Sequence, residues 1–179
     1  MYGNEKRSSL IIYSAVFVAL ITVGGWISIP FVVPFTLQTL FVLLAASVMK
    51  KYAVIPTALY VLFGTLGLPL FHNGTAGIGI LLGPTGGFLI GFILMAFIAG
   101  MFFSKKTVSA DITGLVLATL VCYICGVGWF MISSGASLPA ALIACVIPFI
   151  AGDIIKITAA ELVTLRLRKS EGLALDSDR

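Results

Sequence analysis

The sequence predicts an all-α integral membrane protein: one bundle of six helical spans with both termini in the cytosol. Three observations lead there. Of 179 residues, 60% are hydrophobic and 10% charged, with a mean hydropathy of +1.16. A soluble domain this small has too much surface for its volume to hide so many apolar side chains from water, so lipid must surround most of the chain. Charges, prolines and glycine-rich stretches also divide the sequence into six apolar segments, at 10–29, 35–49, 52–66, 86–104, 111–134 and 138–166. In hydrocarbon every backbone amide needs a partner within its own segment, which makes these helices. Finally, ten of the eleven basic residues fall in alternate connections: Lys6 and Arg7, Lys50 and Lys51, Lys105 and Lys106, and Arg166, Arg168, Lys169 and Arg179. The positive-inside rule places that side in the cytosol, and only an even number of spans keeps the alternation.

The first segment follows Lys6 and Arg7. Its apolar run is longer than the ~7–15 residues of a signal-peptide core and no A-x-A site follows, so it reads as an uncleaved span. Ala15 and Ala19 have small-xxx-small spacing, which permits close approach of another helix. Trp26 lies near the outer end, where an indole anchors at the interface.

The second and third segments are short. Fifteen residues each give about 22 Å of helix against a hydrocarbon core of ~30 Å. Short helices beneath a long external connection predict a hollow that opens outward. The second begins VPFTLQTL at 33–40. Thr36 and Thr39 can bond back to their own helix, whereas the Gln38 amide cannot be satisfied so easily and is a candidate for a site.

The connection that follows is the long external loop between helices three and four. The stretch GTLGLPLFHNGTAGIGILLGPTGG at 64–87 holds eight of the nineteen glycines and, apart from His72, no titratable side chain. Glycine lets main chain approach a ligand closely, so this segment predicts recognition of a neutral, amide-like ligand by peptide groups. Its candidates are Phe71, Asn73, Gly77, Thr85 and Gly86. The loop has no Lys or Arg and the chain has no G-x-x-x-x-G-K-[ST], which argues against a phosphate cradle.

In the fifth segment Cys122 and Cys125 share a helical face, but a zinc site needs about four ligands; packing is the expected role of all three cysteines, with Cys145. No metal or cofactor is expected. Trp129 suits either an interfacial anchor or the wall of an apolar pocket. The sixth segment carries PFIAGDIIK at 148–156. Asp153 and Lys156 are three apart and share a face. Charges this deep in an apolar run are costly and usually face a cavity or one another, so the pair is the foremost candidate for ligand binding. Glu161 is expected to reach the cytosolic interface, and the tail at 176–179 to be polar and disordered. The ends at 1–9 and 170–179 are read as polar and cytosolic.

Several functions are disfavoured. No basic face is large enough to cover nucleic-acid phosphates. A serine hydrolase needs a serine beside a histidine, yet the sole histidine lies in the loop. Catalysis is not expected.

Together, VPFTLQTL, GLPLFHNGTAGIGILLGPTGGFLIGF (67–92) and PFIAGDIIK resemble the BioY family, the biotin-specific S components of energy-coupling-factor (ECF) transporters. The likeness runs from about Ala15 to Lys156; His72-Asn73 departs from the family's more usual small residue before glycine, which weakens any role for His72. The resemblance implies a multi-pass protein of a prokaryotic plasma membrane that captures biotin from outside. It would deliver biotin with a transmembrane T subunit, docked on Ala15 and Ala19, and two cytosolic ATPases. For a biotin ligand, the position and polarity of the candidate residues then give expected roles. Asp153 would accept from the ureido N–H groups of biotin, and Gln38 or Asn73 would serve its carbonyl. Phe35, Phe71 and Trp129 would wall the bicycle, while Lys156 would pair with Asp153 or attract the carboxylate. An S component for another vitamin, or a stand-alone facilitator, are the competing readings.

Overall fold

The computed structural model describes residues 2–177, with side chains from Glu5 to Ser170; Arg179 and the last part of the expected tail lie outside this range. Helix α1, Tyr2–Trp26, stops before its predicted end. The chain then doubles back in a short ribbon, β1 (Ser28–Ile29) against β2 (Phe35–Thr36), with Ser28 opposite Thr36 and Ile29 opposite Phe35. Pro30 and Pro34 lie between the strands, where a missing N–H is tolerated. The second helix therefore starts at Gln38 rather than at 35, because 35–36 is spent on the ribbon.

Helices α2 (Gln38–Met49) and α3 (Val54–Thr65) are joined by a 3-10 turn, Lys50–Ala53. By apolarity and length, 38–65 passes as one stretch of 28 residues. It is not straight. Gln38 donates from Nε2 to the Tyr60 hydroxyl, and a continuous helix would hold residues that far apart in sequence ~33 Å from one another. The reversal is set by Lys50, at φ 54°. The Lys50 carbonyl oxygen sits 2.3 Å from where a Cβ on Gly100 would stand, so only glycine lets the turn seat against the next long helix.

That helix is α5, Gly86–Phe103, reached through a 3-10 turn at His72–Gly74 and the short α4, Ile78–Leu82. It packs along most of its length on α6, Val108–Ser134. Thr107 caps α6 by accepting from the Ala110 amide, and Gly135 ends it in the left-handed region at φ 69°. The predicted sixth helix is two: α7 (Leu138–Cys145) and α8 (Ile150–Ser177), bent by 49°. Pro148 falls in the break, where it withholds an N–H and crowds the preceding turn.

Among the described residues four helical stretches are long and apolar enough to cross a membrane, or five if α7 and α8 form one bent span. These belong to a multi-pass membrane protein. Its core runs between α2, α3, α5 and α6, with Leu43, Tyr60, Met95 and Leu115 fully enclosed.

The two ends differ in chemistry. At one, Lys6 and Arg7 lie beside Met49 and Tyr52, while Lys50 and Lys105 sit over the rings of Phe103 and Phe102. At the other, the Trp26 indole donates to the Pro69 carbonyl at 3.2 Å and Ser28 donates to Asn73 Oδ1, tying the glycine-rich loop to the end of α1.

Candidate functional site

A chamber lies between the ribbon, α2, the loop, α5, α6 and the start of α8. Its charged element is Asp153, in the first turn of α8. Asp153 Oδ1 accepts from Lys156 Nζ at 2.9 Å, and Oδ2 accepts from the Tyr123 hydroxyl of α6. Lys156 also donates to Thr39 Oγ1 of α2 at 2.9 Å and stands 4.1 Å from the centroid of the Phe35 ring. Both charged groups are buried. The spacing of three along one helix brings them together, and two other helices hold them. A buried pair with its remaining hydrogen bonds met is tolerable where either ion alone is not.

The second polar element is Gln38, at the start of α2. Its Oε1 accepts from Thr36 Oγ1 at 2.9 Å and its Nε2 donates to Tyr60. One amide N–H is left over, and Gln38 lines the chamber. Gly25 makes room for it: a Cβ there would stand 2.8 Å from Gln38 Nε2. Thr85 and His72 also line the space from the loop side. Both ring nitrogens of His72 are buried without a partner, and burial pushes its pKa below the usual histidine value. Phe88, Phe92, Met95 and Phe149 give the apolar wall. The enclosed space is about 60 Å3, small beside the ~300–1,000 Å3 of ordinary ligand pockets.

Five of the residues expected from sequence line this chamber: Thr36, Gln38, Thr85, Asp153 and Lys156. Six do not, each for a structural reason. Phe71 is fully enclosed, edge-on to Tyr60 at 5.6 Å, its ring pressed where a Gly64 side chain would be. Phe35 lies behind Lys156, stacked on Phe149 and against Gly152. Asn73, at φ 55°, spends its carbonyl on Ser28. Gly77, at φ 97°, closes the loop with its N–H on the Gly64 carbonyl at 2.8 Å. Gly86 packs against the Leu81 carbonyl, which would collide with any Cβ. The Trp129 indole donates to the Gly83 carbonyl at 3.0 Å, so it staples the loop to α6 rather than walling the space.

Tyr123 and Thr119 are polar lining residues that the sequence reading did not raise, and Thr39 and His72 line the chamber although it gave neither a site role. Tyr123 carried a usable signal, since a buried phenol needs a partner for its hydroxyl. Glu161 does not reach the interface as expected: it is 8% exposed and neither carboxylate oxygen has a partner. Below it, fully buried Asp111 takes both Nη atoms of Arg168 at 2.5 and 3.0 Å.

The BioY family model matches residues 4–172. The chain is 44% identical over 165 residues to the biotin transporter BioY of Thermotoga maritima, spanning 90% of this chain and 96% of that one. It is 38% identical over 167 residues to the probable biotin transporter BioY of Pyrococcus horikoshii, covering 92% and 98%. Among solved structures, the S-component for biotin from an ECF-type ABC transporter superposes with a TM-score of 0.84 at 28% identity, over 93% of this chain and 94% of that one.

Proposed function

This chain belongs to the BioY family, and from that premise we infer that it binds biotin and serves its uptake as the S component of an ECF transporter. The observation that carries the reading is the buried Asp153–Lys156 pair, braced by Tyr123 and Thr39, at the edge of a chamber otherwise neutral.

Biotin presents two ureido N–H donors, one carbonyl, an apolar bicycle with a thioether and a carboxylate tail. Asp153 supplies the acceptor for the N–H groups. The free N–H of Gln38 and a ring nitrogen of His72 are placed to donate to the carbonyl. Phe88, Phe92, Met95 and Phe149 cover the bicycle, and the polarizable Met sulfur suits a thioether and ring edges. Lys156 either stays with Asp153 or turns to the carboxylate. The chamber must widen to admit the ligand, and the loop over it is the element with room to move: Gly67, Gly74 and Gly77 have positive φ with open space where a side chain would go.

The proposed topology has six crossings. α2 and α3 make two short ones, both termini are cytosolic and the chamber opens outward beneath the loop, in the plasma membrane of a prokaryote. The clustering of Lys6, Arg7, Lys50, Lys51, Lys105 and Lys106 at one end supports that orientation. Ala15 and Ala19 are exposed on α1, among exposed Ile11, Ile12 and Val16, which supports docking of a T subunit there. The sequence carries no P-loop motif, so energy would come from two ATPase subunits bound through that partner.

Equilibrium binding to the purified protein, with biotin beside thiamine and riboflavin, tests the ligand. Biotin alone should bind tightly; preference for either other vitamin sinks the assignment. Recovery of the T subunit with Ala15→Trp should fall well below that with the unaltered chain, and undiminished recovery would remove the docking face.

A further inference from the structure

We propose that the basic end of the bundle holds a site for the phosphate of an anionic phospholipid. A groove of about 820 Å3 lies there, between α1, the end of α2, the α5–α6 turn and α8. It shares no lining residue with the chamber. Lys50, Lys106 and Arg168 line it together with Tyr13, Ser47 and Thr164, and no acidic side chain does so among the described residues.

Two polar atoms beside the groove, both closed off from solvent, have no hydrogen-bond partner. Ser47 is 3% exposed and its hydroxyl has no partner. Arg168 is fixed by both Nη atoms to Asp111, which leaves its buried Nε–H unbonded. A guanidinium clamped in this way cannot swing off to satisfy that group elsewhere, and Ser47 sits on a packed helix. Lys50, which donates to the Ser47 carbonyl, and Lys106 line the groove beside an Arg168 already paired with Asp111, and the two lysines leave an excess of positive charge that suits an anion with several acceptor oxygens.

The rest of the lining identifies what that anion is attached to. Val16, Phe17, Val48 and Leu167 form the apolar part of the groove, and Val16 and Leu167 are exposed. A headgroup phosphate with its acyl chains leaving past Leu167 of α8 meets both halves. Inorganic phosphate meets only one. Basic pockets between helices at the cytosolic side take lipid headgroups in this manner. The proposal borrows from the orientation above only the choice of leaflet.

The test is native mass spectrometry of the full-length protein given equal phosphatidylglycerol and phosphatidylcholine, with biotin binding measured on the same samples. Phosphatidylglycerol should be retained preferentially, by about fivefold for each cation that engages it. Lys106→Glu, a reversal worth two charges, should lower that preference by about 25-fold, and Ser47→Ala, which removes the hydroxyl without adding bulk to a packed site, should lower it about twofold. Lys105→Glu is the control, since Lys105 is equally exposed at the same end and does not line the groove. Equal losses in the two lysine variants would mean diffuse surface charge and overturn the site. So would absence of lipid preference, or displacement of the lipid by millimolar inorganic phosphate. Biotin affinity should be unchanged in all three variants, so failure of the groove and failure of the biotin assignment are read separately.

Discussion

Lys156 Nζ and Asp153 Oδ1 lie 2.9 Å apart on one face of α8, and each is held by a different second helix, Thr39 of α2 for the lysine and Tyr123 of α6 for the carboxylate. The pair therefore joins three helices at the chamber. Anything that reorients Asp153 must break its bond to Lys156 or to Tyr123.

Substitutions at this junction should separate binding from stability. Asp153→Asn should cut biotin affinity at least tenfold in calorimetry. Tyr123→Phe should cost about fivefold, the worth of roughly 1 kcal/mol for one hydrogen bond, with little change in melting temperature. Lys156→Met strands a buried carboxylate and should lower stability most, by about 3–5 kcal/mol. Unchanged biotin affinity in Asp153→Asn would remove that residue from the site.

The α5–α6 seam makes a steric prediction. A Cβ on Gly87 would stand 2.3 Å from both the Cys125 carbonyl oxygen and Trp129 Cβ. Gly87→Ala should push the helices apart at a cost of about 1–3 kcal/mol and weaken the Trp129–Gly83 staple. Gly128 has nothing within 4 Å of its Cβ position. Thermal unfolding of Gly128→Ala should match the unaltered chain or exceed it.

At the basic end, two buried acids should behave oppositely. Asp111→Asn breaks the paired contact to Arg168 and should destabilise by about 3–5 kcal/mol. Glu161→Gln exchanges a carboxylate that bonds nothing for a neutral group of the same shape and should leave the melting temperature level or raise it. Equal losses from the two would contradict the hydrogen-bond assignment.

His72 gives the pH dependence. Burial lowers its folded pKa below the ordinary 6.5, so the unfolded or opened loop binds the proton more readily. Its contribution to closure is complete above 6.5 and is lost as pH falls through 6.5 toward the folded value. Protonation would also add a charge to a chamber that already holds Asp153 and Lys156. Biotin retention should decline on acidification below about pH 6.5, and His72→Gln should flatten that decline; an unaltered decline would assign it to another group.

Much of this was legible from residue order because it is local. Asp153 and Lys156 meet through a spacing of three on one helix, and the basic end is a property of which connections carry lysine. The brace on that pair was not legible, since Tyr123 and Thr39 come from helices whose rotation is set by packing. For the same reason Phe71 looked like a chamber wall and is core: its ring fills the space left by Gly64, a contact no local pattern announces. Glu161 was expected at the interface from its position along the helix, yet its face of α8 turns inward. Pro148 was in view but was not taken as the break between two helices.

The reversal at Lys50 bears on how the protein is made. Helices α2 and α3 hold 12 residues each, about 18 Å apiece, so neither alone is a good substrate for insertion into a ~30 Å core. The run 38–65 would pass as a single segment if threaded straight, and every later connection would then emerge on the wrong side.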